Sequence, residues 1–236
     1  MFPCYNESSC FRKWFVRRRN DDERNRVNKF VRGFVPADFE VFDIDGLEPR
    51  MTALIEQVRP KLHQLGDQLS PFLSDLCGET VYPHVAKHAR RTINPPNDTW
   101  VAYAPSKRGY KALPHFQIGL WGSHIFIQFA IIYECESKGA FAERALAELA
   151  SVRRSIPASF VWSKDHMIPE GLRHGKLADE ELADLFYRLG SVKAAELTCG
   201  IHIQKDDPIV SDESAFLALA EKTFKKLKPL YRMAKG

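Results

Sequence analysis

Residues 115–131 read HFQIGLWGSHIFIQFAI, and this stretch decides the fold. On both sides of Gly122-Ser123 the side chains alternate with period two, the repeat of a β-strand rather than a helix. His115, Gln117, Gly119 and Trp121 therefore share one face, and Phe116, Ile118 and Leu120 share the other. In the following strand His124, Phe126, Gln128 and Ala130 lie opposite Ile125, Ile127, Phe129 and Ile131. Two such strands joined by Gly-Ser make a hairpin. A central strand covered on both sides is ordinarily apolar on both. The His, Gln and Gly here predict either a solvent-facing sheet or a cavity lined by hydrogen-bonding groups.

Working outward, Trp100–Ala104 supplies a third strand, and a meander is the economical arrangement. Upstream, Met51, Leu54, Ile55, Val58, Leu62 and Leu65 recur at helical spacing, with Pro60 as a kink or break. Leu69, Phe72, Leu73 and Leu76 continue the period after Gly66, and Gly78 reads as a C-cap, which predicts an N-terminal helical hairpin. Tyr82–Arg91 reads as another short helix before the turn Asn94-Pro95-Pro96-Asn97-Asp98. Downstream, helices are expected over Lys138–Arg154 and from Asp179 to a cap at Gly190. Strands are expected over Ser159–Ser163 and Glu196–Gln204. A C-terminal amphipathic helix from Ser211 carries Phe216, Leu217, Ala220, Phe224, Leu227 and Leu230. Strands and helices are grouped rather than alternating, so the class is α+β, a largely antiparallel sheet with helices packed on it.

The chain has 236 residues, 44% apolar and 27% charged, which suits a globular protein and excludes collagen-like and low-complexity readings. Its 34 Lys and Arg against 30 Asp and Glu give a net charge of +4. Nine of those basic residues and four of the acidic ones fall in residues 1–32, leaving 25 against 26 from Gly33 onward. The basicity thus belongs to a short segment, expected to be a poorly ordered basic extension or the product of a start site placed too far upstream. Residues 33–236 are expected to form a single α+β domain. No apolar run approaches the ~20 residues of a membrane helix, and Arg17, Arg18 and Arg19 stand where a secretory signal needs an apolar stretch. The five cysteines form no CxxC pair and read as reduced thiols. These features predict a cytoplasmic protein without membrane partners.

Chemistry concentrates between His84 and Trp121. If Tyr82–Arg91 were helical, His84 and His88 would stand at i and i+4, the spacing of two metal ligands. Two imidazoles do not complete a site, and Val85 stands where a zinc protease carries Glu, so no metal is expected. The loop Pro105–Pro114 gathers Lys107, Arg108, Tyr110 and Lys111 around Gly109, a composition that suits phosphate or carboxylate. Trp100 and Trp121 could wall a planar ligand. His115-Phe116-Gln117 recurs as His202-Ile203-Gln204, so two strand-borne histidines could act as acid and base on a phosphodiester. That pattern resembles the two-histidine phosphoesterases, although Gln117 and Gln204 stand where that family has Ser or Thr. No nucleotide-binding glycine motif is present, and no cofactor is indicated.

Gly33-Phe34, Asp38-Phe39, Ile44-Asp45-Gly46-Leu47, Pro83–Arg91, Asn94–Ala102, Ser106–Lys111 and Leu113–Trp121 together resemble the YktB family of uncharacterised proteins from Gram-positive bacteria. The resemblance runs from about Gly33 to the C-terminus and implies a cytosolic α+β protein with no activity to carry over. The sequence itself favours a binding protein for a small anionic or planar ligand, held by His84, His88, Arg91, Trp100, Arg108, Tyr110, Lys111, His115, Gln117 and Trp121. The alternatives are nucleic-acid binding through the same basic residues, with Trp100 or Tyr110 stacking bases, and the phosphodiesterase with His115 and His202.

Overall fold

The computed structural model describes residues 33–236. The segment 1–32, and with it the expectation of a poorly ordered basic extension, lies outside the described residues. The seven strands are β1 (Tyr82–Val85), β2 (Asp98–Ala104), β3 (His115–Trp121), β4 (His124–Ile131), β5 (Val161–Ser163), β6 (Leu172–Arg173) and β7 (Leu197–Gln204). They form one antiparallel sheet in the order β1-β2-β3-β4-β7-β5-β6. The helices are α1 (Pro36–Glu40), α2 (Leu47–Ala53), α3 (Arg59–Cys77), α4 (Lys138–Ala147), α5 (Leu149–Ser155), α6 (Asp179–Ser191) and α7 (Glu213–Lys235). The α+β class, the 115–131 hairpin and the C-terminal amphipathic helix are as read from the sequence. The last starts two residues later, with Asp212 rather than Ser211 accepting from the Ala215 N–H at 3.0 Å.

The N-terminal helical hairpin is not formed. From Leu47 to Cys77 the chain is helical throughout, with a π-helical segment at Leu54–Val58 in which Arg59 N–H donates to the Leu54 carbonyl. Pro60 follows directly: a residue without an N–H falls where the widened turn has already shifted the hydrogen-bond ladder, so the helix is adjusted rather than broken. Gly66 does not turn the chain either. It lets α3 cross β1 closely, since a Cβ there would lie 2.9 Å from the Pro83 Cβ. Gly78 is the expected left-handed cap, at φ 75°.

The short helix over Tyr82–Arg91 is also corrected. Tyr82–Val85 is the edge strand β1, paired with Val101–Ala104, and an edge is where a strand accommodates Pro83. Residues 86–97 then run irregularly, with His88 at φ 49°.

The two faces of the sheet are covered differently. On one, Val101, Tyr103, Phe116, Ile118, Ile125, Ile127 and Phe129 meet the helices: α3 lies on β1 and β2, and α7 lies on β4 and β7. Phe224 of α7 sits 5.0 Å from the Phe116 ring, and Tyr103 donates to the Leu65 carbonyl of α3 at 2.9 Å. The other face carries His84, Trp100, His115, Gln117, Phe126, Gln128, Thr198 and His202, matched in register across β1, β2, β3, β4 and β7. It is not solvent-facing: every residue of β3 and β4 is buried. Irregular segments cover it, with Tyr110 against His115, and His88 and His166 against Trp100. Cys135 and Cys199 are buried free thiols, and Cys77 is half-buried. Among the described residues no helix is long and apolar enough to cross a membrane.

Candidate functional site

An open groove of about 1040 Å³ lies between α3, β1 and the loop that joins β2 to β3. Arg59 and His63 reach it from α3, His84 from β1, Lys87 from the segment beyond, and Arg108, Tyr110 and Lys111 from the loop. Glu134 and Glu136 are the acids on its wall. Topology brings these cations together: β1 is an edge strand, so α3 and the loop approach it without another strand between them. Lys111 pairs with Glu134 at 3.2 Å. Arg59 donates through Nη2 to the Lys87 carbonyl at 2.7 Å, while its Nε is buried without an acceptor. Burial lowers the Arg59 pKa from its ordinary value.

Tyr110 separates this groove from the covered sheet face. Its hydroxyl accepts from Trp100 Nε1 at 3.1 Å and its ring lies 4.8 Å from that of His115. Desolvation, with Asp98 and Glu134 nearby, pushes the phenol up to about 12 despite the Trp100 bond, so it stays protonated. Behind it runs a directional hydrogen-bonded chain. Gln128 Nε2 donates to Gln117 Oε1 at 2.8 Å. Gln117 Nε2 donates to His115 Nε2 at 2.9 Å, and His115 Nδ1 donates to the Leu113 carbonyl at 2.8 Å. Desolvation depresses the His115 pKa to about 4, against the favourable Leu113 bond, so the ring is neutral. A neutral ring with its proton on Nδ1 is the form this chain requires.

The residues singled out from the sequence thus divide. His84, Arg108, Tyr110 and Lys111 share the groove. His88, Arg91 and Trp100 border a second depression of about 320 Å³ beside Tyr110. His115 is fully buried, and Gln117 and Trp121 line a small internal cavity of about 20 Å³, room for one water. His84 and His88 do not form a metal pair: His84 Nε2 meets the Ser106 carbonyl at 2.7 Å, and His88 Nε2 meets Thr99 Oγ1 at 3.3 Å. Burial, with Arg91 and Arg59 nearby, lowers His88 to about 4.

The phosphodiesterase pair is not assembled either. His115 lies in register with Ala130 and Thr198, whereas His202 is four residues further along β7. Two strand spacings and four residues separate them by about 16 Å, too far to flank one phosphodiester. His202 instead stacks on His124 with ring centres 4.3 Å apart.

The sequence reading missed Arg59, His63 and Lys87 in the groove, and Asp98, His166 and Glu196 beneath the cover. Asp98 is buried, and desolvation raises its pKa to about 6 against the pull of His166 and Arg91. Burial alone would lower the His166 pKa, but Glu196 at 2.6 Å, with Asp98 and Asp165 nearby, outweighs it and raises the ring above its ordinary value.

The profile of a family described as "Domain of unknown function (DUF1054)" matches residues 34–231. The chain belongs to the DUF1054 family. A UPF0637 protein of Bacillus velezensis is 51% identical over 200 residues, covering 85% of this chain and 95% of that protein. A UPF0637 protein of Lysinibacillus sphaericus is 52% identical over 199 residues, covering 84% of this chain and 94% of that one. Another from Bacillus licheniformis is 48% identical over 200 residues, covering 85% and 95%. The resemblance to an uncharacterised Gram-positive family therefore holds, and the DUF1054 match contains every groove and cavity residue described above.

Proposed function

We propose that this protein binds a small ligand bearing phosphate or carboxylate groups in the groove between α3, β1 and the β2–β3 loop. The observation that carries this reading is convergence: Arg59, Lys87, Arg108 and Lys111 meet on one concavity with His63 and His84, against Glu134 and Glu136. His115 and Gln117 leave the contact set and support the loop from behind, and Trp121, at the far end of β3, leaves it as well. Nucleic-acid binding loses its stacking platform, since Trp100 and Tyr110 bond each other and Trp100 meets His88 and His166 edge-on.

The test is thermal unfolding of the full chain with inorganic pyrophosphate, ATP, citrate or a single-stranded oligonucleotide. A ligand at 100 times its Kd stabilises by about 2.7 kcal/mol, a Tm rise of about 5–10 °C for a chain of this size. The double variant Arg108→Ala, Lys111→Ala is expected to lose most of that rise. No shift with any small anion, or a shift the variant keeps, refutes the reading; a response to the oligonucleotide alone replaces it with nucleic-acid binding.

A further inference from the structure

We propose that Asp165, His166 and Glu196 form a site for one divalent transition-metal cation. One donor atom from each lies within 4.8 Å of the other two. The adjacent pair Asp165-His166 comes from the segment after β5, and Glu196 from the residue before β7. Antiparallel pairing of β5 with β7, with Ser163 opposite Thr198, brings these strand ends together although 30 residues separate His166 from Glu196.

The decisive detail is the Glu196 carboxylate. Its side chain is 7% exposed. Oε1 accepts from the His166 backbone N–H at 2.7 Å and meets the His166 ring at 2.6 Å. Oε2 is buried and has no partner. A buried carboxylate oxygen without a protein donor carries a desolvation penalty, and a cation removes it. Asp165 adds a second carboxylate and His166 an imidazole, so the set carries two negative charges when the ring is neutral, the balance a divalent ion needs. Mixed oxygen and nitrogen donors without sulfur favour Mn²⁺, Fe²⁺ or Zn²⁺ over copper(I), and the imidazole distinguishes the set from the all-oxygen cages of Ca²⁺. Three protein ligands leave coordination positions open. His166 also lines the cavity of about 20 Å³ with Asp98, Ser163 and Thr198, which offers space for a water as a further ligand. The site shares no residue with the groove and does not depend on the reading given for it.

The experiment uses the full chain, stripped with chelator and then dialysed against Mn²⁺, an ion that the five cysteines compete for poorly. Bound Mn²⁺ is counted by electron paramagnetic resonance, and Zn²⁺ is tested in parallel by thermal shift. The expected result is one Mn²⁺ per chain and a Tm raised by metal. Glu196→Gln and Asp165→Asn are each expected to weaken binding by more than the 10- to 100-fold typical of losing an outer-sphere partner. Asp165 is partly exposed, so Asp165→Asn carries the comparison if Glu196→Gln does not fold. Failure of the wild-type chain to retain Mn²⁺ or Zn²⁺, or retention unchanged in Asp165→Asn, overturns the proposal.

Discussion

Lowering the pH from 7.5 to 5 is expected to destabilise the protein through His115, by an amount that follows from its surroundings. The ring is fully buried, and burial, with His84 and His166 nearby, depresses its pKa from 6.5 to about 4. The unfolded chain takes up a proton below pH 6.5, whereas the native chain refuses it until about pH 4. The unfolded state therefore binds more protons in that window, and stability falls as pH falls. Each pH unit is worth about 1.4 kcal/mol, so His115 withdraws about 2 kcal/mol by pH 5 and about 3 kcal/mol by pH 4. Asp98 acts oppositely, because its raised pKa of about 6 lets the native state hold a proton the unfolded state has released. The assay must therefore isolate His115. Urea unfolding of wild type and His115→Gln at pH 7.5, 6 and 5 does so, since the other groups contribute to both curves. The variant is expected to start about 1–2 kcal/mol less stable, having lost the bond to the Leu113 carbonyl. Its stability is then expected to fall less steeply, by about 1.4 kcal/mol per pH unit below 6.5. Parallel curves, or an imidazole resonance for His115 that titrates near 6.5, would refute the assignment of a neutral, buried ring.

Two packing predictions accompany it. A Cβ at Gly200 would lie 2.0 Å from the Ile127 carbonyl oxygen, in the backbone of the neighbouring strand, so Gly200→Ala is expected to cost about 3 kcal/mol or more. Gly139→Ala, with nothing within 4 Å, is expected to leave α4 unchanged or stabilise it by up to about 1 kcal/mol, and urea midpoints distinguish the two. Arg50 is buried and donates to the Ile44 carbonyl at 2.8 Å, the Pro96 carbonyl at 3.0 Å and Asn97 Oδ1 at 3.1 Å. Arg50→Met is expected to cost about 2–4 kcal/mol and to expose the 92–97 turn to protease; unchanged cleavage there would dissociate that turn from Arg50.

What was legible in the sequence follows from range. The period-two stretch at 115–131 specified β3, the turn and β4 because each side chain's face is set by its immediate neighbours. The amphipathic repeat from Phe216 to Leu230 did the same for α7. Pro60 and Gly66 misled, because both were read as local breakers. A π-turn accommodates the first, and the close passage of α3 over Pro83 uses the second. Tyr82–Val85 was read as the start of a short helix but took its conformation from pairing with β2. Of the site, the loop cations Arg108 and Lys111 were visible as a cluster. Arg59 and His63 were not, because they reach the groove only once α3 crosses β1. Asp98, His166 and Glu196 had no signal at all, since they meet through strand pairing of segments far apart in the chain.

The buried polar chain explains why a core strand carries His and Gln in the first place. Gln128 can donate to Gln117 only if the Gln117 amide presents its oxygen toward β4, which turns its nitrogen toward His115. That nitrogen needs a lone pair, so the His115 proton must sit on Nδ1, where the Leu113 carbonyl receives it. Each orientation is thus imposed by the one before, and reversing any of them would set two donors or two acceptors face to face at the cost of a buried unsatisfied group. The chain ends on the loop that carries Arg108, Tyr110 and Lys111, at the residue whose own N–H closes a turn on the Tyr110 carbonyl at 3.0 Å. An apolar β3 would pack as well against Tyr110 but would leave the Leu113 carbonyl unpaired and the loop without a fixed anchor. The polar face of the sheet therefore acts as a floor for this loop, and Arg108 and Lys111 are held at the groove through it.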